Sequence, residues 1–236
     1  MGHEIESAAL GHGHTVVATF DIDHPASVDN LRSCGAEVVI DFSQPNAVID
    51  NIALVASAQL PVVIGTTGWD SSLPIILAQV AQAKIGCVVG SNFSVGVNLF
   101  LEIVRTASRL LGTAGYDAYI SEAHHRTKKD FPSGTALRIG DAVLSEMKSK
   151  VRISTELPAG AASPPDALLI TSIRAGGITG THTVGFESEE DSIELVHRAK
   201  NRRGFAYGAV VAAEWIVNRT GFYRFEEHIT EILNDR

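Results

Sequence analysis

The stretch SEAHHRTKKDFPSGTA (121–136) sets two adjacent histidines and three cations just ahead of a Pro-Ser-Gly-Thr turn. Imidazole gives and takes protons near neutral pH. An ammonium beside it can donate to a developing anion or nitrogen. Pro132 to Thr135 lead into a helical pattern, and the free N–H groups of a first helical turn can hold a carboxylate. Seven of the 19 Lys and Arg fall in the two short segments 124–130 and 198–203 (Arg126, Lys128, Lys129, Arg198, Lys200, Arg202 and Arg203), in a chain of formal net charge -8. That concentration suits a small anionic ligand and argues against a general nucleic-acid binder. Neighbours at a strand end point to opposite faces, so one of the two histidines suffices for proton transfer. The same residues also read as a solvated turn beside a surface or core pair. A third and fourth ligand at suitable spacing are missing, so no metal is expected at these histidines.

These residues must be positioned by a larger scaffold. The chain has 236 residues, of which 45% are hydrophobic and 19% charged, enough for one large domain or two small ones. In the first half, apolar runs alternate with helical stretches. HTVVATFDID (14–23), AEVVIDFS (36–43), PVVIGTTG (61–68) and IGCVVGSNFS (85–94) read as strands covered on both faces. PNAVIDNIALVASAQ (45–59) and SSLPIILAQVAQAK (71–84) read as the helices between them. The alternation predicts a doubly wound parallel sheet. The second half changes style near residue 94. Helices are expected over 95–111, 133–150 and 204–219, a strand over 116–125, and three consecutive strands over 168–177, 180–191 and 192–201 as an antiparallel meander. No apolar run reaches the ~20 residues that span a bilayer. The start lacks the pattern of a signal peptide. Cys34 and Cys87 fit no ligand spacing and read as free buried thiols of a reducing, cytoplasmic protein.

Ligands of a doubly wound sheet bind beyond the carboxyl ends of its strands. Three expected strand ends carry suitable residues: Asp21 and Asp23, GTTG (65–68) and GSNFS (90–94). An acidic side chain such as Asp21 can accept from the adenosine ribose and repel a 2′-phosphate. A strand-end Asp is also a common helix cap. The glycine fingerprint G-x-G-x-x-G is absent. MGHEIESAALGHGHTVV reads as a helix and then a strand, so an opening strand and glycine loop are expected upstream of residue 1. The glycines of GHGH (11–14) read as a helix C-cap.

EAHHRTKKDFPSGTA resembles the signature of the dihydrodipicolinate reductase family, close to E-x-H-H-x-x-K-x-D-x-P-S-G-T-A. VVIDFSQP, VVIGTTGW, SNFSVGVN, IRAGGITGTHTVGF and AKNRRGFAYGAV resemble family segments in the same order. The resemblance covers nearly the whole chain. It implies a Rossmann-type domain (1–94, completed by 204–236), lacking its first strand, and an α+β substrate and oligomerisation domain (95–203) with a mixed or antiparallel sheet. It also implies a cytoplasmic homotetramer of the lysine–diaminopimelate pathway that passes hydride from NADH or NADPH to a cyclic imine dicarboxylate. His124 is then the acid/base and Lys128 a second proton donor, while His125, Gly134 and Thr135 bind substrate. Met1, Asp21, Gly65, Thr66, Thr67, Gly90, Ser91, Asn92 and Phe93 face the cofactor. Ile22 stands where some members carry an arginine suited to a 2′-phosphate, which favours NADH. Two other readings stay open: a different amino- or imino-acid dehydrogenase, and a relative that has lost cofactor binding.

Overall fold

The computed structural model describes residues 1–157 and 159–235. The chain divides into two compact units, Met1–Val95 with Arg202–Arg236, and Gly96–Asn201.

The first unit is built on a four-stranded parallel sheet of order β1-β2-β3-β9, from β1 (Val39–Asp41), β2 (Val62–Ile64), β3 (Gly86–Val89) and β9 (Gly221–Arg224). Its central strands are buried on both faces. One face (Val62, Ile64, Cys87, Val89) packs on α3 (Val48–Ala58) and α4 (Leu73–Ala83), which contribute Ile52, Val55, Ile76 and Val80; α2 (Val28–Ser33) adds Leu31. The other face (Val63, Val88) packs on α7 (Arg203–Ile216) and α8 (Phe225–Asn234). Period-2 alternation within continuously apolar strands thus feeds two separate cores. Val55, Val62 and Val63, at 4, 0 and 0% exposure, show how complete the cover is. Helix α1 (Gly2–Gly11) lies on α7 through Ile5, Ala9, Ala206 and Val210.

Three expectations for this unit change. The run 14–23 forms no strand. Val17 and Phe20 are exposed, and Thr15 to Phe20 make no ladder hydrogen bond among the described residues. An apolar β-branched run becomes a strand only where a neighbour takes up its N–H and C=O groups. Second, the sheet gains a strand beyond the helix expected over 204–219: β9 pairs in parallel with β3, and α8 covers it. Four residues, GFYR, carry too little pattern to reveal a strand whose partner lies so far away in sequence. Third, Cys34 is half-buried; Cys87 is buried, and burial pushes its thiol up to about 12. GHGH does cap a helix. Gly13 sits at φ 84, with Gly13 N–H bonded to Leu10 O and His14 N–H to Ala9 O.

The second unit holds a five-stranded mixed sheet of order β5-β6-β4-β7-β8. Its strands are β4 (Asp117–His124), β5 (Arg152–Ser154), β6 (Ala167–Arg174), β7 (Thr181–Glu187) and β8 (Ser192–Arg198). Helices α5 (Val95–Thr113) and α6 (Gly134–Glu146) cover one face, with Phe100, Leu101, Val104, Ile139, Val143, Ile120, Leu168, Val184 and Phe186 in the core. The expected meander is only β7–β8. β4 inserts between β6 and β7, parallel to β6 and antiparallel to β7. Consecutive strands need not be neighbours, and the alternation within each strand does not encode its partner. No helix among the described residues is long and apolar enough to cross a membrane.

Candidate active site

Strand β4 carries the chemistry on its covered face. Ala118, Ile120, Glu122 and His124 alternate inward, so the apolar half of the strand enters the core and the polar half ends at the site. Register does the rest. Glu122 lies opposite His182 of β7 and beside Ser172 of β6, while His124 lies beside Arg174 of β6. His182 in turn lies opposite His197 of β8.

Glu122 is fully buried. Arg174 grips its carboxylate with two N–H groups, Nη2 to Oε1 at 2.6 Å and Nη1 to Oε2 at 3.0 Å. The Ser133 N–H also donates to Oε1, at 3.3 Å. His124 Nδ1 lies 2.5 Å from Oε2, a short bond in which the imidazole N–H donates to the carboxylate. Burial pushes the Glu122 carboxyl up, but Arg174, Ser172 and His124 together outweigh it and hold the group at about 2. The carboxylate is therefore ionised at neutral pH and fixes the His124 tautomer. The other ring nitrogen, Nε2, has no hydrogen-bond partner among the described residues. Gly180 makes room for it: a Cβ there would lie 3.1 Å from Nε2.

His182 stacks edge-on to His124, with ring centroids 5.2 Å apart, and its Nε2 lies 3.3 Å from Ser133 Oγ. Burial, then the His124 charge, depress its titration to about 4, so it is neutral at pH 7. His197, 6.3 Å from the His182 ring, is depressed by burial as well. Both keep Nδ1 buried with no hydrogen-bond partner among the described residues.

The PSGT turn behaves as the first helical turn it resembles. Ser133 is the N-cap of α6, its Oγ accepting from Ala136 N–H at 3.2 Å. The N–H groups of Gly134 and Thr135 have no acceptor among the described residues, which leaves two donors and the positive end of the helix for an anion. Lys128 sits close by in sequence, paired with both oxygens of Asp130 at 2.8 Å. His125 turns away from His124 and bonds Thr127 Oγ1 at 2.8 Å. Glu122, Arg174 and His182 carry the site as much as His124 does, and the sequence reading assigned them no role; Ser133 was read only as part of the helix-opening turn. The i, i+2 spacing of Glu122 and His124 was the available signal; Arg174 and His182 become neighbours only through strand order. The same strand order gathers Glu122, His124 and His182 into a three-ligand set that linear spacing did not reveal.

In the first unit, a cavity of about 240 Å³ opens at the carboxyl ends of β2 and β3. Met1, Gly65, Thr67, Gly90, Ser91, Asn92 and Phe93 line it, together with Phe42 and Phe205, which the sequence reading had not named. Gly65 and Gly90 let the rings of Phe42 and Phe93 close on the backbone, since a Cβ at either place would strike them. Ser91 donates from N and Oγ to Glu226 Oε1 at 2.9 and 2.6 Å. Two expected residues are not in this lining. Thr66 is buried, and its carbonyl accepts from Trp69 Nε1 at 2.6 Å. Asp21 is in an exposed turn, where Oδ1 accepts from the N–H groups of Asp23 and His24 at 3.0 and 2.8 Å. It ends no strand, because the run before it forms none. The pocket suits part of a dinucleotide: aromatic walls, glycine backbone, strand ends and the start of α1, whose first-turn N–H groups favour phosphate.

A parallel-sheet unit with a strand-end pocket, joined to a mixed-sheet unit with a carboxylate-anchored histidine, has the parts of a two-unit dinucleotide-binding enzyme. Residues 1–93 match the family described as dihydrodipicolinate reductase, N-terminus, and residues 96–229 match dihydrodipicolinate reductase, C-terminus. The chain therefore belongs to the dihydrodipicolinate reductase family, NAD(P)H-dependent oxidoreductases of lysine and diaminopimelate biosynthesis. It is 36% identical to the 4-hydroxy-tetrahydrodipicolinate reductase of Christiangramia forsetii, over 100% of this chain and 96% of that protein. It is 35% identical to the protein of the same name in Archaeoglobus fulgidus, over 97% of this chain and 95% of that one. A solved structure of dipicolinate-bound dihydrodipicolinate reductase from Paenisporosarcina sp. TG-14 shares the fold, with a TM-score of 0.77 at 23% identity, covering 96% of this chain and 94% of that one. An amine dehydrogenase from Mycobacterium smegmatis shares it more distantly, with a TM-score of 0.58 at 10% identity over 94% and 91% of the two chains.

Proposed function

We propose that this chain reduces 4-hydroxy-tetrahydrodipicolinate with a nicotinamide cofactor, and that His124 delivers the proton. The observation that carries this reading is the buried Glu122 carboxylate, clamped by Arg174 and bonded to His124 Nδ1. Held this way, His124 keeps one proton on Nδ1 and presents Nε2 to the substrate; its imidazolium form, with a second proton on Nε2, is the donor, and it returns to the Nδ1–H tautomer once that proton is delivered. The first-turn N–H groups of Gly134 and Thr135 hold a substrate carboxylate, and His125 and Lys128 add polar and positive contacts. Lys128 is also the second proton donor, once its ammonium leaves Asp130 for substrate.

Met1, Gly65, Thr67, Gly90, Ser91, Asn92 and Phe93 would hold the cofactor, with Thr66 between two of them in sequence and Asp21 reading the adenosine ribose. Bound there, the cofactor supplies the hydride. NADH is favoured over NADPH. Asp21 keeps Oδ2 without a partner among the described residues, and Ile22 beside it offers no charge to a 2′-phosphate. The assembly is a homotetramer formed through the sheet of the second unit, a reading that rests on the family the chain belongs to. Free Cys34 and Cys87 fit a cytoplasmic setting.

The test is His124→Gln. Turnover is expected to fall by ~10²–10⁴, with NADH still bound, as followed by cofactor fluorescence. Unchanged turnover would remove His124 from the reaction.

A further inference from the structure

A second cluster of ligating side chains lies in the first unit, in residues the reductase chemistry does not use. His12 Nδ1 and His14 Nε2 converge on one carboxylate oxygen, Glu214 Oε1, at 3.1 and 2.9 Å. All three ligand atoms lie within 4.8 Å of one another. Zinc binds imidazole nitrogen and carboxylate oxygen at about 2.0–2.2 Å, so neighbouring ligand atoms of a tetrahedral site sit roughly 3.3 Å apart. The observed separations are already close to that edge.

The scaffold beneath is rigid, which separates this cluster from a chance meeting of surface side chains. His12 and His14 flank Gly13, whose left-handed φ of 84 and capping hydrogen bonds fix the turn at the end of α1. Glu214 projects from α7. The two helices are locked together by Ile5, Ala9, Ala206 and Val210, and the Tyr207 ring packs 5.2 Å from that of His12. The side chains stay open to solvent, at 23, 47 and 27% exposure for His12, His14 and Glu214, so an ion can enter and water can complete the coordination.

We infer that His12, His14 and Glu214 form a binding site for a divalent transition-metal ion, Zn2+ in the first instance, that ties the end of α1 to α7. Two imidazoles and one carboxylate favour Zn2+, Ni2+ or Cu2+ over Mg2+ or Ca2+, which demand mostly oxygen. Because both helices belong to the unit that holds the strand-end pocket, a bound ion stiffens that unit without touching the residues of the pocket.

The experiment is calorimetric titration of the whole chain with Zn2+, alongside His14→Ala, Glu214→Gln and His124→Gln. The last variant breaks the other three-ligand set, Glu122, His124 and His182. The expected result is one Zn2+ per chain, retained in His124→Gln and weakened at least ~100-fold in His14→Ala and Glu214→Gln, a larger loss than outer-shell changes cause. A rise in melting temperature on adding Zn2+ accompanies it in the native chain and not in Glu214→Gln. Co2+ in place of Zn2+ gives the intense visible bands of a tetrahedral site, absent from His14→Ala. Absence of Zn2+ binding, or binding that survives His14→Ala and Glu214→Gln, overturns the assignment. So does binding that disappears in His124→Gln alone.

Discussion

At the scale of single residues, the molecule hinges on a buried carboxylate. Glu122 is ionised in a place where an isolated charge would be very costly, and Arg174 is what makes that tolerable. Arg174→Leu is expected to cost about 3–5 kcal/mol of stability, read by denaturant unfolding, because it strands the charge. Glu122→Gln keeps the shape and removes the charge. Its expected signature is catalytic: a loss of turnover with an altered pH profile, since the His124 tautomer is no longer fixed. His182 gives a pH test of stability. Its folded-state titration is depressed from 6.5 to about 4, so the unfolded chain binds its proton first. Stability is therefore full above pH 6.5 and falls as pH drops from 6.5 toward 4, by at most roughly 3 kcal/mol. Glu122, also depressed, extends the loss below pH 4.5. Unfolding free energies measured between pH 7 and pH 4 check the slope, and His182→Asn should flatten its upper part.

At the scale of elements, close packing decides what each position tolerates. Helix α7 packs so tightly on the segment that follows β3 that a Cβ on Gly208 would overlap the carbonyl oxygen of Phe93. A backbone atom cannot rotate aside, so Gly208→Ala is expected to destabilise that unit by at least ~1–3 kcal/mol, visible as a lowered melting temperature. It should also disturb the pocket, because Phe93 is part of its wall. Elements differed in how plainly they were written. Helices α3, α4 and α6 were legible, since the 3.6-residue period and their capping or turn residues sit within one short window. The run 14–23 looked as strand-like as any, yet lies outside the sheet. Strand formation depends on a partner, and a partner is not a property of the segment. The partly inverted order of the second sheet was hidden for the same reason: β6 and β7 are consecutive in the chain, but β4 lies between them.

At the scale of the whole molecule, two units with separate cores imply separable defects. The strand-end pocket is lined by the first unit alone and the histidine cluster by the second. Gly90→Val, which crowds the Phe93 ring, is expected to weaken NADH at least ~10-fold, about 1.4 kcal/mol, while leaving pyridine-2,6-dicarboxylate binding intact. His124→Gln should preserve NADH binding. Titration of both variants with both ligands checks the pattern, and a joint loss in either variant contradicts it. Residue order alone was enough for the family, the two styles of architecture and the helix start that follows the paired histidines. All of these are written in local period, residue type and a contiguous signature. Folding in three dimensions was needed to bring Arg174 and His182, some fifty to sixty residues beyond Glu122, into the site, to set Glu214 against His12 and His14 two hundred residues away, and to leave Asp21 in a turn instead of at a strand end. These depend on strand order, register and helix packing, which are set by burial across the whole chain and leave no mark in the spacing of the residues they bring together.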